Sequence, residues 1–363
     1  MIKQIQIKNY KSIRDMVLEL GPINILIGCN GVGKSNFVSF FELLNQLYAK
    51  QLGNYVMSHD GANRMLYNGV AHSNSVYGLF NFDDTNAFFF SLKPTAGDKL
   101  YVEYSGDFFN NSGAGHSSYS SWNRTLWDNA VLESEIQDKI QWRAGYVRKF
   151  LQSFTVYHFH DTSVTSPMRR ACHIEDNQML RHDASNLPAF LYKLQQNAPA
   201  NFAMIEAVVR SIAPYFNRFK LRPSELNPDQ IRLTWEEKGS DLYLDAADFS
   251  DGTLRFIAIA TLLLQPEKPQ TIIIDEPELG LHPSAIIKLS ALIKKAAATG
   301  TQVIVATQSV NLVNCFEPKD ILVSERRDNQ TVFQHLDSDQ LSVWLEEYNI
   351  GTIWEKNIIG GQP

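Results

Sequence analysis

The sequence predicts an α/β fold, a mixed-sheet lobe built around a glycine-rich loop with a helical lobe inserted into it, and three observations carry that prediction. The apolar run Ile23 to Ile27 leads into a glycine-rich loop that turns to helical period at Lys34, giving strand, loop and helix in succession. Two later runs, "PQTIIIDEP" and "TQVIVATQS", are continuously apolar rather than alternating and flank a helical stretch from Ser284 to Ala298, the pattern of buried parallel strands. Between these two ends, Leu132 to Phe216 is mostly helical in pattern.

The remaining elements follow in chain order. Ile2 to Asn9 alternates as a strand should. From Ser75 to Ser105, the short aromatic runs "SVYGLFNFDD", "NAFFFSLKP" and "KLYVEYSG" are split by turn-forming residues and read as an antiparallel meander. Asn110 to Asn123, "NNSGAGHSSYSSWN", is rich in Gly and Ser and is expected to be disordered. The helical stretch is interrupted by the strand-like "FTVYHFHDTS" and by a polar loop from Met168 to Asn186. A hairpin-like pair, "QIRLTWEE" and "SDLYLDAADF", leads to "FSDGTLRFIAIATLLL", an apolar helix with a small polar entry; the last stretch, "LSVWLEEYNIGTIWEKNIIGGQP", is expected to pack as a short helix and tail. The expected organisation is a first part of the sheet lobe (1–125), a helical lobe (126–230), a second part of the sheet lobe (231–337) and a C-terminal helix and tail (338–363).

A chain of 363 residues, 44% hydrophobic, can bury a sizeable core. Its net charge of -6 excludes a surface that is basic all over and leaves room for a local basic groove, so DNA stays a candidate partner. The three cysteines, Cys29, Cys172 and Cys315, form no C-x-x-C pair, which argues against a disulfide framework or a zinc knuckle and for a reducing compartment. The N-terminus alternates where a signal peptide would be apolar, and the longest uncharged apolar run, Phe256 to Leu264, is too short to span a bilayer. A cytoplasmic protein without a membrane segment is the expectation.

"GCNGVGKS", Gly28 to Ser35, matches G-x-x-x-x-G-K-[ST], in which glycines let successive N–H groups curl around phosphates at a helix N-terminus. Lys34 would reach the β- and γ-phosphates and the Ser35 hydroxyl would ligate Mg²⁺; the competing reading is a plain glycine turn. Asp275, at the end of "TIIID", supplies a carboxylate for the metal's hydration shell. Glu276 follows and, pointing to the opposite side of the strand end, can act as general base; a helix cap or salt bridge is the bland alternative for this pair. Ser250, Asp251, Gly252 and Thr253 would present a second helix N-terminus with free N–H groups, or merely a helix cap.

In order along the chain, "IKNYKSIRD", "GCNGVGKSN", "FSDGT", "IIIDEPELGLHP" and "VIVATQS" resemble the motifs of the ABC-type ATPase heads of the RecF, SMC and OLD-like group, "FSDGT" standing where that family has LSGGQ. The ending "GTIWEKNIIGGQP" is similar to that of stand-alone ATPases of the group. The resemblance implies a P-loop NTPase with Mg²⁺ and ATP as cofactors. ATP would be bound by Asn30, Gly31, Gly33, Lys34, Ser35 and Asn36, with Lys11 of "NYKSIR" beside the adenine and phosphates. It further implies a homodimer in which Ser250 and Gly252 touch the γ-phosphate held by the opposite subunit and Glu278 to His282 cross the interface, with Glu276, Lys34 and Gln308 as catalytic residues.

Two departures stand out. Asp251 replaces the motif's first glycine, putting a carboxylate near phosphates unless it points away, and Gln308 stands where transporters of the class carry His, which implies slow turnover with weak pH dependence near neutrality. The stretch from Ser35 to Asp275 is too short and too little heptad-like for coiled-coil arms, so a compact RecF-like head is expected. By resemblance, such a head is a switch or sensor for DNA or for a separately encoded effector or nuclease, in DNA repair or anti-phage defence; the alternative is an assembly clamp with negligible turnover. A nuclease in the chain itself lacks a second acidic cluster.

Weaker signals remain. His158, His160 and Asp161 could be a metal site, ordinary histidines, or the counterpart of the family's γ-phosphate-sensing loop. Arg169, Arg170 and Arg181 could contact nucleic acid but are interleaved with Glu175 and Asp176 and read better as a solvated loop. Trp344 and Trp354 could anchor a partner, although burial is the better reading.

Overall fold

A computed structural model describes residues 1–110, 122–140, 142–240, 242–336, 341 and 344–361. Most of the glycine- and serine-rich stretch expected to be disordered therefore lies outside the described residues.

The centre is a six-stranded sheet in the order Gln330–His335, Ile321–Arg327, Ile23–Ile27, Gln302–Ala306, Thr271–Asp275 and Phe154–Tyr157. All neighbours run parallel except the first pair. The apolar runs lack alternation because both faces are covered: Ile25, Ile27, Ile272, Ile274, Val303 and Val305 enter one core, while Leu26, Ile273 and Ile304 enter the other. Helices Asp251–Leu264 and Pro283–Ala298 pack into the first core. Helix Lys34–Tyr48 fills the second and is roofed by an antiparallel sheet in the order Ile13–Glu19, Gln4–Tyr10, Val76–Asn81, Asn86–Pro94, Leu100–Phe109 and Asn123–Val131.

The helix after the glycine loop is clamped by aromatics. Phe40 stacks on Phe80 and Phe90, with ring centroids 5.9 and 5.8 Å away. Gly78 makes the close approach possible, since a Cβ there would come within 2.6 Å of the Phe90 ring and 2.8 Å of the Phe40 ring. Phe40→Ala would open a cavity and cost about 3 to 5 kcal/mol.

The expected meander is present and gains Asn123–Val131 as a further strand. The stretch 126–230 is not one helical lobe. Asn123–Val131 reaches into it from the antiparallel sheet, and Phe154–Tyr157 is the edge strand of the central sheet, parallel to Thr271–Asp275. The strand-like start of "FTVYHFHDTS" is thus a strand, but four residues carry no sign of which sheet they join. The helical insertion proper consists of Leu187–Asn197 and Pro199–Ile212, the second packed on Asp251–Leu264, beside two small sheets. Among the described residues, no helix is long and apolar enough to cross a membrane.

Candidate functional site

Parallel pairing brings three strand ends together, with Asp275 opposite Ala306 and Ala306 opposite Leu26. There the chain forms a cavity of about 160 Å³ lined by Asn30, Gly31, Gly33, Lys34, Ser35, Asn36, Asp275, Glu276 and Gln308. The predicted loop, acid and switch residues thus meet in one place, at the carboxyl ends of the strands where ligands of open α/β sheets bind. Gly33, at φ 110°, precedes the helix and no side chain caps it, so first-turn N–H groups remain available to an anion. The rear of the loop is held by the hairpin Ile321–Arg327 and Gln330–His335: the Ser324 hydroxyl donates to the Ile27 carbonyl and that of Thr331 to the Val32 carbonyl, each at 2.6 Å. A Cβ on Gly28 or Gly33 would overlap these same two side chains.

Lys34 is 6% exposed, and its ammonium donates to the carbonyls of Gly28 at 2.5 Å and Cys29 at 3.0 Å. Burial lowers its pKa, with Glu276, Asp275 and Glu278 among the groups opposing that shift. Burial pushes Asp275 above the usual carboxylate range, against the pull of His160, His158 and Lys34. Glu276 departs from the expectation that adjacent acids face opposite sides. Its φ of 41° puts it in the left-handed region, and both carboxylates line the same cavity. That conformation costs about 1 to 3 kcal/mol and is held by the surrounding structure. The Glu276 N–H donates to the Ala306 carbonyl at 2.8 Å, and its Oε1 accepts from the Gln308 amide.

Lys11 faces a second, larger cavity of about 570 Å³ that shares Asn36 with the first. Its ammonium donates to the Ser39 hydroxyl at 2.9 Å. Ser250 and Gly252 line neither cavity. Ser250 caps its own helix by accepting from the Thr253 N–H at 3.2 Å, and a Cβ on Gly252 would overlap the Gly280 carbonyl. The segment Glu278 to His282 is split in two: Leu279 and His282 are exposed, whereas Glu278 is buried and accepts from the Thr307 hydroxyl.

Two arginines organise this second segment. Arg169, expected in a solvated loop, has a buried side chain that donates to the carbonyls of Ala246 and Phe249 and pairs with Asp251 at 2.8 Å. The Asp251 carboxylate is thereby neutralised. Arg255 is 4% exposed and donates to the carbonyls of Phe159 and His160, each at 2.9 Å, and to that of Leu279. A lone charge inside "LRFIAIATLLL" was the available signal, because a buried guanidinium must find acceptors. Arg181 pairs with Asp176 at 2.8 Å. His158 shares a hydrogen bond of 2.6 Å with Glu42, and among the described residues no group of three or more His, Cys, Asp or Glu is placed to hold a metal ion. Trp354 is buried, whereas Trp344 is 42% exposed.

A glycine loop opening an uncapped helix, opposed by strand-end acids on a parallel sheet, defines a P-loop NTPase of the α/β class. Family models match two segments: residues 149–314 match an AAA domain model named for the AbiEii toxin of a Type IV TA system, and residues 1–93 match an AAA ATPase domain. Among solved structures, an SMC head bound to the C-winged helix domain of ScpA is 16% identical, with 94% of this chain and 99% of that chain covered and a TM-score of 0.62. An Smc head with an extended coiled coil, bound to the C-terminal domain of ScpA and derived from Pyrococcus furiosus, is 14% identical, with 95% and 98% covered and a TM-score of 0.54. No curated protein matches the chain. The chain thus has the fold of these SMC heads, and two of its segments match AAA domain models.

Proposed function

We propose that this chain binds and hydrolyses Mg²⁺-ATP, and that nucleotide closes two copies into a dimer acting as a switch or sensor for DNA or for a separately encoded effector, in DNA maintenance or anti-phage defence. The observation that carries it is the separation of two helix N-termini. The uncapped loop at Gly33 opens into the cavity with Lys34 and both acids, while Ser250 and Gly252 sit outside it, Gly252 against Gly280. A second copy would bring Ser250 and Gly252 to the open side of the γ-phosphate, where a helix dipole neutralises charge.

The residues fit the cofactors. Lys34 can exchange two loop carbonyls for phosphate oxygens, and Ser35 and Asp275 offer hard oxygen donors for Mg²⁺, which would supply charge neutralisation. Glu276 is the base and Gln308 its partner; an amide cannot become cationic, so turnover is slow and weakly pH-dependent near neutrality. Gln308→His should raise turnover and give it a histidine-like pH profile; unchanged kinetics would remove Gln308 from this role. The toxin–antitoxin name of one family model supports the defence reading, and the ScpA-bound heads support a protein partner. Three free cysteines suit the cytoplasm.

The test is the mass of Glu276→Gln by light scattering with and without Mg²⁺-ATP, alone and with the product of the neighbouring gene. A nucleotide-dependent doubling supports the switch; an unchanged mass in both cases overturns it. The pairing of Glu276 with Gln308 favours a second reading, a clamp with negligible turnover. Turnover of the unmodified protein no faster than that of Glu276→Gln would select it.

A further inference from the structure

Among the described residues, the C-terminal stretch lines neither of the two cavities. Helix Ile350–Glu355 lies on the short helix Val310–Val313, which begins two residues after Gln308. The Gly351 N–H donates to the Asn314 side chain at 2.7 Å, and a Cβ on Gly351 would come within 2.6 Å of Val310 and of Asn314. Ile353 and Trp354 are buried beside it. Beyond this helix the chain turns back toward the rear of the phosphate loop.

There it makes a built contact. The Cys29 N–H donates to the Gly361 carbonyl at 2.7 Å, and the Gly361 N–H donates to Glu325 at 3.1 Å. Gly360 and Gly361 have φ of 77° and 78°, a region that side chains rarely adopt. Space adds to this: a Cβ on Gly360 would overlap the Glu325 carboxylate, and one on Gly361 would be a tight fit, 3.0 Å from Val323 and 3.4 Å from the Gly28 Cα. Two consecutive glycines are thus required by the contact itself.

The peptide that receives the tail is the one that holds the lysine. The Gly28–Cys29 peptide gives its carbonyl to the Lys34 ammonium on the cavity side and its N–H to Gly361 on the rear side. This one peptide is thus bonded on both sides, by the lysine and by the tail. The Gly28 and Cys29 carbonyls must release that lysine when an anion arrives.

We propose that Gly360 and Gly361 are positioning residues for nucleotide binding, and that the segment from Ile350 to Gly361 is a strut tying the phosphate loop to the helix that follows Gln308. The inference rests on reading the cavity as a nucleotide site. A partner that drew the tail away would loosen the loop and weaken nucleotide binding.

The test uses the full chain carrying Cys172→Ser and Cys315→Ser, so that Cys29 is the one thiol, with and without Gly361→Ala. Two quantities are read: the rate of Cys29 alkylation by iodoacetamide without nucleotide, and KM against kcat for ATP. Loss of one hydrogen bond should raise alkylation and KM about tenfold each, with a smaller change in kcat. Glu325→Ala guards against a misfolded glycine variant; it should give the same direction, and Glu325→Gln, which keeps an acceptor for Gly361, should recover most of the effect. Alkylation and KM within about twofold of the parent in both Gly361→Ala and Glu325→Ala overturn the proposal, since the lost bond is expected to be worth about tenfold. If the parent shows no ATP turnover or binding, the nucleotide reading fails, and alkylation still decides whether the tail holds the loop.

Discussion

The phosphate loop and the segment around Ser250 are both helix N-termini introduced by small residues, yet they are held in different ways. At Gly33 no side chain caps the helix, and the loop's anchors lie behind it, at the Ile27 and Val32 carbonyls and the Cys29 N–H. At Ser250 the chain satisfies itself: the hydroxyl caps the helix, Arg169 takes the Asp251 carboxylate, and Gly252 packs on Gly280. Small polar residues before an apolar helix thus build two kinds of turn: one held from behind that opens into a cavity of its own chain, and one capped at the Thr253 N–H that lines no part of that cavity.

The strongest way to break this contrast is to remove one key group from each side. Lys34→Ala deletes the one cation that lines the loop cavity among the described residues and should weaken nucleotide binding about 100-fold, read by titration with a fluorescent ATP analogue. Ser250→Ala should cost about 1 kcal/mol of stability as a lost cap and leave the affinity of a single chain near that of the parent, while abolishing nucleotide-dependent dimerisation. If Ser250→Ala lost nucleotide as Lys34→Ala does, the two termini would serve one site in one chain, and the distinction would fall.

Arg255 tests the rigidity of the second region. Replacing it with Met leaves three main-chain carbonyls without their donor and should cost about 3 kcal/mol in urea unfolding. Arg255→Lys should recover only part, because one ammonium cannot reach three acceptors set in a fork. A Met variant as stable as the parent would show that the segment from Ser250 to Gly280 is held by packing alone.

The difference between the two regions also explains what could be read in the sequence. The phosphate loop and its acids were legible because their chemistry is local: glycines with φ above zero, a lysine and a hydroxyl at fixed spacing, and a carboxylate at a strand end. The turn at Glu276 was not, since its φ of 41° is imposed by the hydrogen bond to Ala306 from a neighbouring strand. The partners of Arg169 and Arg255 lie 77 or more and 24 or more residues away for all contacts except that of Arg169 with Thr162, so spacing gave no hint of them. Phe154–Tyr157 was legible as a strand but not as the edge of the central sheet, because its place there comes from Thr271–Asp275, more than a hundred residues away. The glycine pair at 360 and 361 was visible, but not that it reaches the rear of the loop.

Residues 158 to 160 join the two regions and yield the smallest effect. His158 bonds Glu42 on the helix after the phosphate loop, and the carbonyls of Phe159 and His160 are held by Arg255. The Glu42 hydrogen bond raises the His158 pKa against the effect of burial; burial would raise Glu42, but the bond and charge of His158 leave it below the usual range. The histidine's contribution is therefore full below its ordinary pKa and lost as pH rises through the raised value; that of Glu42 is full above its ordinary pKa and lost as pH falls through the depressed one. Arg255 does not titrate in this range, so raising the pH loosens the tie to the loop and leaves the tie to the other helix intact. The urea midpoint of the parent should fall more than that of His158→Gln between about pH 6 and about pH 9, on either side of the ordinary histidine value. Parallel profiles would mean that the Glu42 bond carries no linkage, and that the segment is held to the phosphate-loop side by its strand alone.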